Sequence, residues 1–233
     1  MNKLKAHIFD LDGTLVDSMG LWVDIDHAVL ADRGIPMPSN YDEYVEAIIP
    51  LNPTESAAYA IKFFGLTDTV EEIVQEWYNR AKETYSRTIP LKPGAYKFLH
   101  NLKAEGVKMA VATSSPKNLC EVSLKNHGIE ELFDAICLSE EVGCGKDKPD
   151  VFLLAAKRLG VLPKDCIVYE DSLVAVKTAK SLGMTVCAVY DDASAKNWEE
   201  IKGLADYTIG NWKEIRGPAD YTTDKKEALN VNI

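Results

Sequence analysis

Short apolar runs that alternate with stretches of helical periodicity predict an α/β chain: a doubly wound, Rossmann-like parallel sheet with an inserted all-helical cap domain. Two observations carry that expectation. Runs of strand length surround Ile8 and Phe9 and recur at 107–113, 134–138, 166–169, 185–190 and 206–210. Between the first and second of them, residues 18–88 show helical spacing throughout. The expected organisation is a core domain over 1–17 and 89–216, a helical cap over 18–88 and a polar tail over 217–233.

The first run ends in Asp10, Asp12 and Gly13, which puts two carboxylates at the C-terminal end of a buried strand, where open α/β sheets present their ligand crevice. Two acids so close repel each other unless a cation or a proton intervenes. A hard divalent ion such as Mg2+ relieves them with oxygen ligands. Asp10 can then act as a nucleophile that forms an aspartyl-phosphate. Asp12 can protonate the leaving oxygen and later take a proton from the attacking water. Gly13 lets the backbone approach an anion closely. Thr14 and Ser18 are assigned hydrogen bonds within the loop.

From Met19 to Arg33 an apolar stripe of Leu21, Trp22, Ile25, Val29 and Leu30 predicts a helix stopped by Gly34. Further helices are expected over 41–49, 54–64 and 69–86, broken by Pro50, Pro53 and Gly65. Trp22, Tyr44 and the loop from Ile49 to Asn52 are candidates to face a substrate, although aromatic residues in a helical cap commonly form its own core.

Gly94 to Ala104 reads as a helix, and the second strand ends in Thr113-Ser114-Ser115-Pro116. The hydroxyls of Thr113 and Ser114 and the N–H groups entering the next helix make a phosphate cradle, and equally a helix cap. After the third strand, residues 139–150 form a loop with two lysines, Lys146 and Lys148. The fourth strand ends in Glu170-Asp171-Ser172, so a third strand end brings acids toward Asp10 and completes an octahedral Mg2+ site with waters.

The stretch Phe9-Asp-Leu-Asp-Gly-Thr-Leu-Val-Asp-Ser18 resembles the first motif of the haloacid dehalogenase-like phosphohydrolase superfamily. Later motifs follow in order, extending the resemblance over about residues 5–212. It implies that the helical block is a cap of the C1 group. Thr113 matches the second motif's Ser/Thr, which binds the transferring phosphoryl group, with Ser114 beside it. Lys148, which precedes Pro149, matches the third motif's cation, and Lys146 is the nearby alternative. Glu170 and Asp171 match the fourth motif's acids: Asp171 a direct metal ligand with Asp10 and Asp12, Glu170 a ligand or its hydrogen-bonded neighbour.

The reaction so implied is Mg2+-dependent hydrolysis of a small phosphorylated metabolite, a phosphosugar or similar phosphomonoester. The segments Val168-Tyr-Glu-Asp-Ser172 and Lys148-Pro-Asp-Val-Phe152 look like the branch containing β-phosphoglucomutase, which makes a phosphosugar mutase the alternative. Against it, Trp22 stands where that enzyme has a histidine, and residues 46–56 lack the arginine of its sugar-binding loop. Dehalogenase relatives lack the second carboxylate that Asp12 supplies. A non-catalytic member should have lost an acid or the lysine, and none is missing.

Composition narrows the partners. A net charge of −10 repels nucleic acid and anionic membrane, while a small phosphorylated substrate can still be held by local cations. Five cysteines without Cys-x-x-Cys spacing are expected to be free, mostly buried, thiols in a reducing compartment. No window approaches the about 18 apolar residues of a membrane span, so a cytoplasmic monomer or homodimer is expected. The histidines, His7, His27, His100 and His127, have no metal-type spacing.

Overall fold

A computed structural model describes residues 4–87 and 89–215. The expected tail from Gly217 lies outside the described residues. The chain runs β1 (Ala6–Phe9), then four consecutive helices, α1 (Met19–Asp32), α2 (Tyr41–Ile48), α3 (Pro53–Phe64) and α4 (Val70–Arg87). It continues as α5 (Ala95–Ala104), β2 (Lys108–Thr113), α6 (Lys117–Asn126), β3 (Ala135–Leu138), α7 (Ser139–Val142) and α8 (Asp150–Leu159). It closes with β4 (Cys166–Glu170), α9 (Leu173–Ser181), β5 (Thr185–Val189), α10 (Trp198–Leu204) and β6 (Tyr207–Ile209).

All strand pairs are parallel and the sheet order is β3-β2-β1-β4-β5-β6. The chain winds outward from β1 to β3 and then returns to β4 on β1's other flank. Ala6 therefore lies opposite Lys108 on one side and Cys166 on the other. Such a reversal opens a crevice beyond the strand C-termini, and Asp10 sits at its mouth.

Period-2 alternation splits the strand residues between two layers of helix. Phe9, Met109, Val111, Tyr169 and Val189 pack with α5 and α6. Ile8, Ala110, Ala112, Val168 and Val186 pack with α8, α9 and α10 on the opposite face. Phe9 stacks on Tyr169 across the strands at 4.5 Å between centroids and an interplanar angle of 7°.

The helical insert leaves and re-enters the core through paired segments. Asp17 N–H donates to the Pro90 carbonyl at 3.0 Å, and Lys92 N–H to the Leu15 carbonyl at 2.8 Å. Within the insert, α3 begins with a capping box of Asn52 and Glu55 and Pro53 in its first turn, and Gly65 ends it at φ 69°. A second contact holds the insert to the core: Lys146 N–H donates to the Pro50 carbonyl at 2.6 Å. A Cβ on Gly145 would come within 2.2 Å of that oxygen, so this position requires glycine.

The strands and long helices fall within a few residues of their expected bounds. Helices α7 and α10 were not expected, because segments of 4 and 7 residues are too short to display a helical period. The last described turn braces the C-terminal end of the sheet's central strands. Trp212, 1% exposed, packs on Phe98 and Tyr169 and donates its indole N–H to the Thr14 carbonyl at 3.0 Å. Trp212→Ala should therefore lower unfolding free energy by about 3–5 kcal/mol in urea titrations, through a cavity and an unpaired carbonyl.

Candidate active site

Three strand ends and two loops build the site. Asp10 follows β1, its N–H held by the Tyr169 carbonyl at 3.0 Å. Glu170 ends β4, and its Oε2 accepts from the N–H groups of Asp171 and Ser172 at 3.0 and 3.1 Å. Asp171 Oδ1 accepts from the Thr14 hydroxyl at 2.9 Å. Gly13 lies against the same carboxylate: its φ is 76°, and a Cβ there would stand 2.5 Å from Asp171 Oδ2. Steric room and backbone conformation both require glycine at this turn.

Among the described residues, the acids whose oxygens lie within 4.8 Å of one another are Asp10, Glu170 and Asp171, all buried. Burial pushes Asp10 up to about 8, although Lys146 pulls it down, while the charges of Glu170 and Asp12 add to the rise. Burial likewise pushes Asp171 well above the carboxylate range, reinforced by Glu170 and Asp10. Asp10 and Asp171, both raised by burial and by neighbouring charge, stand with Glu170 as a set of hard oxygen donors that fits a divalent cation of the Mg2+ or Ca2+ type. Asp12 was expected among the ligands, but its side chain lies outside this group.

The Asp12 carboxylate instead accepts from three hydroxyls, those of Ser18, Tyr85 and Ser115. Burial and the Asp12 charge push the Tyr85 phenol well above its usual range, so it stays a donor. Three donors fix the orientation of a carboxylate that faces the cavity beneath the helical insert. Ser115 stands one residue past the expected pair, Thr113 and Ser114, and nothing in the sequence pointed to it. Tyr85 lies on α4, 73 positions from Asp12, where no local pattern signals it.

The cation beside Asp10 is Lys146, not the favoured Lys148. The Lys146 ammonium bonds Asp10 and lies 2.5 Å from Glu170 Oε1, with its side chain 4% exposed. Burial alone would lower it, but the charges of Asp10 and Glu170 outweigh that and keep it protonated. Lys148 is 61% exposed and pairs with its neighbour Asp147 at 3.0 Å. Its placement just before Pro149 and α8 turns it to solvent, whereas the Gly145 turn carries Lys146 inward. Asp147 adjoins both lysines, so the sequence alone carries no signal that separates them.

Thr113 ends β2, and its hydroxyl accepts from Ser115 N–H at 2.9 Å. The Ser114 hydroxyl is 3.0 Å from that of Ser139, and Ser114 lines the cavity with Ser115. Trp22, Tyr44, Ile49 and Leu51 line the same cavity as Asp12. Tyr44 also packs in the insert's own core, with its ring centroid 4.5 Å from Phe64.

Comparison with known proteins identifies the family. The sequence family described as haloacid dehalogenase-like hydrolase matches residues 7–189. A phosphorylated carbohydrates phosphatase of Thermotoga maritima is 28% identical over 181 residues, which cover 78% of this chain and 82% of the relative. A probable pseudouridine-5'-phosphatase of Drosophila melanogaster is 35% identical over 200 residues, covering 82% and 84%. The crystal structure of CbbY from Rhodobacter sphaeroides in complex with phosphate matches with a TM-score of 0.81 at 25% identity, covering 93% of this chain and 98% of that one. The acids gathered at the strand ends thus stand on a familiar frame, and the chain belongs to the haloacid dehalogenase-like hydrolases.

Proposed function

We propose that this chain is a Mg2+-dependent phosphatase of a small phosphorylated metabolite, working through an aspartyl-phosphate on Asp10. The observation that carries the reading is the division of labour between two acids two residues apart. Asp10 lies with buried acids and a lysine, while Asp12 is turned by three hydroxyls toward the cavity. The phosphatase names of the Thermotoga and Drosophila relatives support it.

In this reading Asp10 attacks phosphorus and Asp12 gives a proton to the departing alkoxide, then takes one from the water that hydrolyses the acyl-phosphate. Lys146 pulls Asp10 toward its ionised form, which a bound cation would favour further, and meets a phosphoryl oxygen, with Thr113, Ser114 and the Gly13 turn completing the anion's surroundings. Asp10 and Asp171, with Glu170 as ligand or neighbour, hold the metal, which when bound neutralises charge on the phosphoryl group. The insert over 18–88 acts as the cap that excludes water and selects the alcohol. Catalysis comes chiefly from positioning and charge neutralisation. The free cysteines support a reducing, cytoplasmic setting.

A phosphosugar mutase is a weaker reading. The cavity lining contains no arginine, lysine or histidine with which to hold a sugar phosphate at a second position.

Phosphate release from a panel of phosphomonoesters with Mg2+ tests the proposal. Asp10→Asn should abolish release while circular dichroism stays unchanged; near-normal turnover would refute the mechanism. In the same assay Lys146→Met should lose about 10²–10³ in kcat, whereas Lys148→Met should stay within about twofold. The reverse order would return the role to Lys148.

Metal binding can be read without turnover. Mg2+ at a hundredfold excess over its Kd should stabilise the folded chain by about 2.7 kcal/mol, a rise of about 5–11 °C in Tm. Asp171→Asn should remove that rise, and its persistence would place the ion elsewhere.

A further inference from the structure

We propose that the substrate's alcohol carries a flat, unsaturated ring with an N–H or O–H donor on its far edge, and that the Asp26 carboxylate receives that donor. The inference rests on the phosphatase reading of the Asp10 site and names its substrate class.

A single cavity of about 180 Å³ joins Asp12 and Ser115 at one end to Asp26 at the other. Apolar cavities of ~150 Å³ take one benzene-sized ring. The walls between are Trp22, Tyr44, Val45, Ile48 and Trp77, flat or branched surfaces suited to stacking. Apart from the residues beside Asp12, the described lining offers no lysine, arginine, histidine, asparagine or glutamine; besides Asp26 its polar groups are the Ser56 hydroxyl, the tyrosine hydroxyls and the indole N–H groups, most of them on flat aromatic rings. An open-chain polyol entering here would bury several hydroxyls without partners, at a cost for each.

Asp26 is the one carboxylate in this lining besides Asp12. It sits on the inner side of α1, 6% exposed, and burial pushes its carboxyl up to about 6. The Tyr41 hydroxyl donates to Oδ2 at 2.8 Å. The Tyr44 hydroxyl and Trp77 indole N–H also face this carboxylate, yet neither closes a hydrogen bond of good geometry. Packing the insert's helices calls for an apolar side chain at this point, since an under-bonded buried carboxylate destabilises them. A ligand donor would complete the acceptor, and the two loose donors stand ready for a ring carbonyl or hydroxyl beside it.

The test compares kcat/KM for 2-(4-hydroxyphenyl)ethyl phosphate, 2-phenylethyl phosphate and sorbitol 6-phosphate in the wild type, Asp26→Leu and Asp26→Asn. The hydroxylated ring should exceed the plain ring at least tenfold, with the polyol ester slowest. Asp26→Leu should bring the two rings within about twofold of each other by slowing the hydroxylated one selectively; Asp26→Asn should fall between. A merely structural Asp26 would slow every ester alike.

Calorimetric binding of the same esters to the Asp10→Asn protein with Mg2+ reads the subsite independently of turnover. If no ester is hydrolysed, the phosphatase reading fails, while the binding order and its dependence on Asp26 still decide the inference. If hydrolysis is robust but the polyol ester is preferred, or the ring discrimination survives Asp26→Leu, the inference is overturned and the phosphatase reading stands.

Discussion

The Lys146 ammonium held between Asp10 and Glu170 is the constraint on which the rest of the structure depends. Three carboxylates, Asp10, Glu170 and Asp171, are brought together in a buried place, and none would be stable there as an isolated charge. Everything near them compensates. The first N–H groups entering α9 bond Glu170, the Thr14 hydroxyl bonds Asp171, and the lysine neutralises part of the remainder. The parallel sheet makes this possible, because its central strands β1 and β4 end side by side at the crevice.

The helical insert is tied to that centre at two chemically important points. Tyr85, near the end of α4, donates to Asp12, and the Pro50 carbonyl accepts from the backbone of Lys146. Both acids of the proposed reaction therefore have a neighbour that belongs to, or is bound by, the insert. Gly145 is needed because its loop and the Pro50–Leu51 segment meet more closely than any Cβ allows. The cavity between the insert and the strand ends is thus closed by the same contacts that orient Asp12 and Lys146.

Most of the sheet was legible because buried parallel strands leave continuous apolar runs, and their ends carried the acids Asp10, Glu170 and Asp171. Position along the chain was enough to bring those three together. The lysine was not legible in the same way. Two lysines stood two residues apart in one loop, and their difference arises from tertiary contact: Pro50 pulls Lys146 inward, while Asp147 keeps Lys148 at the surface. Tyr85 and Ser115 were missed for a related reason, since each becomes meaningful only when the insert and β2 converge on Asp12. The brace from Trp212 to Thr14 spans 198 positions and leaves no trace in local periodicity. Asp26 was hidden by its setting, a single acid on a helix whose exposed face carries acids as well.

The most direct test of the proposed chemistry is rapid-quench peptide mass spectrometry during a single turnover with Mg2+ and a hydrolysed ester. The account predicts a transient phosphoryl group on the peptide containing Asp10, formed and lost at rates that accommodate kcat. Burst formation of product with no phosphoryl group on that peptide, or with one on another residue, would contradict it.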